Sequence, residues 1–207
     1  MLVKVDADLA MAFGTPISVR RACLEPGVNA GLERAVWARR NAGQGVRVSN
    51  VGGWQSQADL FDWPEPEVAQ LGAMVDRAVE QFVGFGRAAS PKPKLGKAGW
   101  ANMNQAGDYN ILHNHAGQDL AAVYYVKAPP ENAANRSEGK LELRDPRPTA
   151  GYCNHPTLFN ADPLRIAPEP GMLVMFPSWV EHMVHPHQGP DERISIAINI
   201  KLMDFKS

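Results

Sequence analysis

Cysteine is scarce in this sequence: Cys23 and Cys153 are the two it has in 207 residues. Two thiols cannot build the disulfide framework of a small secreted domain, so a reducing, cytoplasmic setting is expected. An excess of one charge is missing too. Lys and Arg number 21 against 22 Asp and Glu, a formal net charge of -1. That balance offers no positive field for a phosphate backbone, so no nucleic-acid partner is expected. No stretch approaches the roughly eighteen consecutive apolar residues of a membrane span. Met1 to Asp6 lack the apolar core of a signal peptide, and no membrane association is expected. Internal repeats and low-complexity segments are absent, and the length suits a single domain over 1–207 with a sizeable core.

What is present favours β structure. The 18 glycines and 17 prolines suit a turn-rich sheet protein better than a helical bundle, whose elements both residues disrupt. Residues 1–97 read as a mainly helical support region. Val68, Leu71, Val75, Val79 and Phe82 recur at helical spacing after Pro64 and Pro66, and a weaker helix is expected over Asn29 to Arg40. The run from Pro91 to Lys97 reads as a solvated connector. Over 98–207 the period changes to two. Strands are expected at Trp100 to Asn104, Tyr109 to His115, Ala121 to Lys127, Lys140 to Arg144, Met172 to Phe176, His182 to His187 and Arg193 to Leu202. The expected fold is mainly β: a double-stranded β-helix, or cupin-like jelly roll, with the amino-terminal helices packed on one outer face.

The last strand separates its faces cleanly. Ile194, Ile196, Ile198, Ile200 and Leu202 share one side and must be buried, while Arg193, Ser195, Ala197, Asn199 and Lys201 share the other. That second face suits either solvent or the wall of a ligand pocket.

His113 and His115, one residue apart in an extended segment, present both imidazoles to one side, about 7 Å apart along the backbone. Imidazole suits iron, zinc, copper and nickel, and a site with open coordination positions needs a third ligand. His182 ranks first for it, because the strand Met172 to Phe176 and the turn Pro177-Ser178-Trp179 can return it opposite His113. His185 and His187 compete. His185, three residues on, points to the opposite strand face, and His187 sits near the strand end beside Pro186.

These residues resemble the Fe(II)- and 2-oxoglutarate-dependent oxygenases, in which His-x-Asp/Glu on one strand precedes a distal His and then an Arg or Lys roughly ten residues on. Here the order is His113-Asn114-His115, His182 and Arg193-Ile194-Ser195. More narrowly, Gly52 to Ser56, Trp100 to Asn104, His113 to Gly117, Val123 to Val126, Asp145-Pro146-Arg147 and Phe176 to His182 resemble a little-characterised bacterial branch of that superfamily. The resemblance implies a dioxygenase or hydroxylase in which His113, His115 and His182 hold catalytic Fe(II). It implies a small-molecule cosubstrate, 2-oxoglutarate, whose distal carboxylate is clamped by Arg193 with a hydrogen bond from Ser195. Tyr109, on the strand face of His113 by alternation, is a candidate for assisting the cosubstrate; a core tyrosine with a satisfied hydroxyl is the alternative. Asn102, Asn104 and Asn199 are weaker lining candidates.

One departure stands out: His115 occupies the usual carboxylate position, and Asp119, four residues on, could restore an acid directly or through a neighbour. Two rival readings stay open. Gly107, His113-x-His115 and Asp119, followed by Gly171, Pro177 and His182, also fit a metal-dependent cupin that needs no oxoglutarate. A non-catalytic jelly-roll module binding a small ligand is the second. The primary substrate is not encoded in any motif, and the loop-rich stretch from Ala128 to Pro168, with Tyr152-Cys153-Asn154-His155, is where its selection is expected.

Overall fold

The computed structural model describes residues 14–85, 92–132, 134–147 and 162–203. The chain runs β1 (Ser18–Arg20), α1 (Pro26–Ala42), β2 (Asn50–Val51), β3 (Trp54–Gln55), a single 3-10 turn (Leu60–Asp62), α2 (Pro66–Val83), β4 (Leu95–Asn104), β5 (Tyr109–His113) and β6 (Leu120–Lys127). It continues with β7 (Leu141–Leu143), β8 (Leu164–Ile166), β9 (Leu173–Pro177), β10 (His182–Val184) and β11 (Arg193–Leu202). Two sheets result, in the orders β1-β9-β6-β11-β4-β3 and β2-β5-β10-β7-β8, with every pairing antiparallel. This is the jelly roll expected from the sequence, with both helices on the outside of the larger sheet.

Each helix starts where a proline can start it. Pro26 and Pro66 sit in the first turn of α1 and α2, where a missing N–H costs nothing and a fixed φ is already helical. Val68, Leu71, Val75 and Val79 of α2 are buried, as are Val28, Leu32 and Val36 of α1. Both stripes join one apolar cluster with Ile194, Ile196, Ile198 and Ile200 of β11. Each such side chain taken fully out of water contributes about 1.5–3 kcal/mol. Polar clasps fix the layer: Tyr124 on β6 donates to Asn29 Oδ1 at 2.5 Å, and Asn29 Nδ2 donates to the Val126 carbonyl at 3.1 Å. A second cluster, with Tyr125, Leu141, Leu143, Val174, Phe176 and Val184, fills the space between the sheets.

Two expectations need correcting. The amino-terminal region is more than helical support, because β1, β2 and β3 add edge strands to both sheets; each has only two or three residues, too few to show a period. The expected connector at Pro91 to Lys97 is strand from Leu95 on, with Pro91 outside the described residues. Lys97 there is a tie between layers, its Nζ donating to Asp76 Oδ1 at 2.5 Å and to the Gly72 carbonyl at 3.2 Å. Tyr152 to His155 also lie outside the described residues.

Leu71, fully buried between α2 and the sheet, tests the layer: Leu71→Ala is expected to cost about 2–5 kcal/mol by urea unfolding.

Candidate metal and cosubstrate site

A cavity between the sheets is lined by His113, His115 and His182 together with Arg193, Ser195, Ala197, Trp100 and Asn102 from the larger sheet, and by Ser49, Asn110, Leu141 and Val184 from the smaller one. The inward face of β11 is thus pocket wall rather than solvent-exposed sheet.

The histidines meet through strand register. β10 pairs with β5 so that His182 stands directly opposite His113, and their ring centroids are 4.3 Å apart. β5 ends at His113, so His115 lies just past the strand rather than within it. A main-chain bond from its N–H to the Ser178 carbonyl, 2.9 Å, brings its ring parallel to that of His182 at 5.0 Å. One ligand nitrogen from each of the three lies within 4.8 Å of the others.

Their tautomers follow from their partners, since a carbonyl can only accept. His113 Nδ1 donates to the Ile111 carbonyl at 2.7 Å and His182 Nδ1 to the Val180 carbonyl at 3.0 Å. The lone pairs of these two rings therefore sit on Nε2, the arrangement metal-bound histidines adopt. His115 Nε2 lies 3.2 Å from His182 Nε2, a spacing bridged either by a proton on His115 or by a shared cation. Three neutral imidazoles with ligand nitrogens this close fit a divalent metal ion.

Burial keeps these rings neutral. His182 is pushed down to about 3, by burial first and then by the neighbouring His113. His115 falls to about 4 for the same two reasons, with the Asn199 side chain pulling the other way, and burial also lowers His113. Neutral imidazole is the metal-binding form.

Arg193 is 1% exposed. Its Nη1 donates to Ser195 Oγ at 3.1 Å, its guanidinium carbon lies 5.0 Å from the centre of the Tyr125 ring, and Nε and Nη2 make no well-formed hydrogen bond, the Tyr125 hydroxyl being a polar group beside the guanidinium. No described carboxylate forms an ion pair with it. Burial pushes its pKa down, yet arginine stays charged in proteins. A buried fork with two open donors matches one end of a dicarboxylate, so the residues also fit 2-oxoglutarate.

Tyr109 does not line the cavity; Asn110 does. His182 pairs with His113 but Val184 with Asn110, so two residues of β10 span three of β5. The extra residue reverses the inward face, and simple alternation fails there. Asn110 Nδ2 donates to Ser49 Oγ at 3.2 Å, and no feature of the sequence marks either residue. Trp100, by contrast, shares its alternation with Asn102. Asn104 is buried but does not line the cavity. The competing histidines are engaged elsewhere, His185 with Glu142 at 2.9 Å and His187 with the Asn104 carbonyl at 3.3 Å. The Asp119 carboxylate accepts the Leu202 N–H at 2.7 Å and is not part of the ligand cluster.

Fold and site together define a jelly-roll domain whose inter-sheet cavity holds a three-histidine cluster and a buried arginine. Residues 98–199 match the family profile described as "Putative 2OG-Fe(II) oxygenase". No curated protein matches the chain. Among solved structures, a Pseudomonas putida prolyl-4-hydroxylase is 16% identical with a TM-score of 0.62, covering 91% of this chain and 94% of that one. A Trichoplax adhaerens prolyl hydroxylase in complex with a hypoxia inducible factor peptide fragment is 16% identical with a TM-score of 0.63, covering 90% and 83%. HygX from Streptomyces hygroscopicus, with nickel and 2-oxoglutarate bound, is 11% identical with a TM-score of 0.58, covering 93% and 85%. Residues 98–199 thus carry the profile of the Fe(II)- and 2-oxoglutarate-dependent oxygenases, on a fold those solved structures share.

The histidine pKa values give the metal-free protein an acid sensitivity. The unfolded chain, titrating near 6.5, binds more protons than a folded state titrating at about 4 and about 3. The histidines' contribution is therefore fully present above about pH 6.5 and lost as pH falls toward the folded values. Urea midpoints of the metal-free protein should decline over that range, and His115→Gln combined with His182→Gln should flatten the decline.

Proposed function

We propose that His113, His115 and His182 hold the Fe(II) of this oxygenase and that Arg193, braced by Ser195, holds the distal carboxylate of 2-oxoglutarate. The observation that carries the reading is the fully buried guanidinium with two donors that make no well-formed hydrogen bond, in the same cavity as the three imidazoles. A buried unpaired charge costs several kcal/mol, and a bidentate carboxylate offsets that cost where a neutral ligand cannot. This favours oxoglutarate over the cupin and passive-binding readings, neither of which needs a buried cation.

When bound, Fe(II) and 2-oxoglutarate supply the oxidation of a primary substrate, coupled to decarboxylation of oxoglutarate to succinate. The chain supplies the setting. Ile111 and Val180 carbonyls aim two imidazoles, the Ser195 hydroxyl sets the guanidinium orientation, and Phe176, Val123 and Leu141 form apolar walls that exclude water. Asn102, Asn110 and Ser49 are the polar groups left to contact substrate. Among the described residues no helix is long and apolar enough to cross a membrane. The net charge of -1 supports a small or neutral substrate over a nucleic acid, and the low cysteine content supports a cytoplasmic setting.

Anaerobic addition of 2-oxoglutarate to the Fe(II) protein is expected to produce a weak visible charge-transfer band. Arg193→Ala should weaken oxoglutarate binding roughly a hundredfold or more, since breaking a buried charge pair costs about 3–5 kcal/mol, while iron content is unchanged. Unaltered oxoglutarate affinity in that variant would remove the clamp assignment. His113→Ala and His182→Ala should each lose iron by metal analysis, and full occupancy in either demands a different ligand set.

A further inference from the structure

Two of the three imidazoles are aimed by the main chain, through the carbonyl two residues upstream of each. His115 makes no such main-chain bond; the hydrogen-bond contact of its ring is to His182. Its Nε2 faces His182, which leaves the orientation of the ring to whatever its Nδ1 meets.

Asn199 is in place to meet it. It lies on the inward face of β11, two residues beyond Ala197 and four beyond Ser195, both of which line the cavity. Its lateral neighbours across the sheet are Ala98 on β4 and Ala121 on β6, whose methyl groups offer no hydrogen bond and leave room above the strand. The His115 ring lies 5.8 Å from the ring of Trp100, Trp100 pairs with Ala197 two residues before Asn199, and the Asn199 side chain acts on the His115 ring. The loop carrying His115 is laced to the end of the same strand. Asp119 N–H donates to the Ile200 carbonyl at 3.0 Å, Leu202 N–H to Asp119 Oδ2 at 2.7 Å, and Lys201 Nζ to the Gly117 carbonyl at 3.0 Å. Asn199 Oδ1 is shut off from solvent and satisfied by no well-formed hydrogen bond, yet its side chain lies close enough to the His115 ring to act on it; a buried acceptor left unsatisfied costs about 1–3 kcal/mol.

We propose that Asn199 is the positioning residue of the third ligand: its carboxamide oxygen accepts the Nδ1 proton of His115 and holds the Nε2 lone pair toward the point it shares with His182. The inference rests on the reading of His115 as a metal ligand. It gives the site three imidazoles, each backed by a carbonyl oxygen, two from the main chain and the third from a side chain.

The test uses the full chain with Co(II), whose affinity is read by competition with a chromophoric chelator, and with Zn(II), in which the His115 Nδ1 proton is followed by NMR. Asn199→Leu removes the acceptor at similar volume and is expected to weaken Co(II) binding roughly 10–100-fold, the usual loss for such a partner. The His115 Nδ1 proton should then exchange rapidly with water. Asn199→Asp keeps an acceptor and is expected to restore Co(II) affinity to the wild-type level or above, with the Nδ1 proton shifted further downfield. Folding is checked by thermal unfolding of each variant. If Asn199→Leu does not fold, the decision passes to Asn199→Asp and to the wild-type Nδ1 proton, which must be slowly exchanging. His115→Ala separates the two levels. Loss of Co(II) binding in His115→Ala with unchanged binding in Asn199→Leu overturns the positioning role alone. Unchanged binding in His115→Ala overturns the ligand reading and this inference with it.

Discussion

His113 and His182 face one another across the β5–β10 ladder, and the rest of the site is arranged around that pair. Directly opposed residues in antiparallel strands hold their Cβ atoms about 4.5–5.5 Å apart, close enough for two imidazoles to reach one ion. A slip of one residue would send one ring to the opposite face. What prevents the slip is apolar. Val184 on β10 and Leu141 and Leu143 on β7 must face the space between the sheets, and β7 pairs with β10 so that Leu143 lies beside His182 and Leu141 beside Val184. Burial of these side chains fixes the register, and the register delivers the histidines.

The second requirement is a strand stiff enough to hold a buried cation. β11 lies between β4 and β6 in the larger sheet, and its isoleucines are clamped beneath the helices. Its other face can then carry Arg193, Ser195 and Asn199 without freedom to turn them out to water. The helices never touch the cavity; they act on it by making one face of β11 apolar and immobile. Stability and chemistry are thereby assigned to alternate residues of one strand, an arrangement that the period of two permits.

This division of labour explains how much could be read without coordinates. The alternation from Arg193 to Leu202 and the stripe on α2 are long, strongly periodic segments, and both appear as expected. The three histidines sit on or just past strands whose flanking turns are marked by Gly and Pro. The failures are local. β1, β2, β3 and β8 are two or three residues long, too short for a pattern. The exchange of Asn110 for Tyr109 comes from a bulge between His182 and Val184 in the pairing with β5, which depends on the partner strand and leaves no trace in the β5 sequence. Ser49 enters the wall only because β2 pairs with β5. An orphaned Asn199 oxygen is likewise a property of its Ala98 and Ala121 neighbours, seventy or more residues away in the chain.

The histidine at position 115 changes the electrostatics of the site in a direction that can be argued. A carboxylate ligand would cancel part of a divalent metal ion's charge, whereas three imidazoles held neutral by burial cancel none. Asp119 does not make up the difference, since its carboxylate is committed to the Leu202 N–H. None of the residues lining the cavity is Asp or Glu. With a divalent ion held by the histidines at one end and the Arg193 guanidinium at the other, the cavity would be strongly positive and poorly screened by solvent. A ligand carrying a carboxylate at each end answers both charges at once, while a monoanion leaves one of them buried and unpaired. On the proposed assignments the pocket would select for a dicarboxylate through charge, and the lack of an acidic ligand would strengthen that selection.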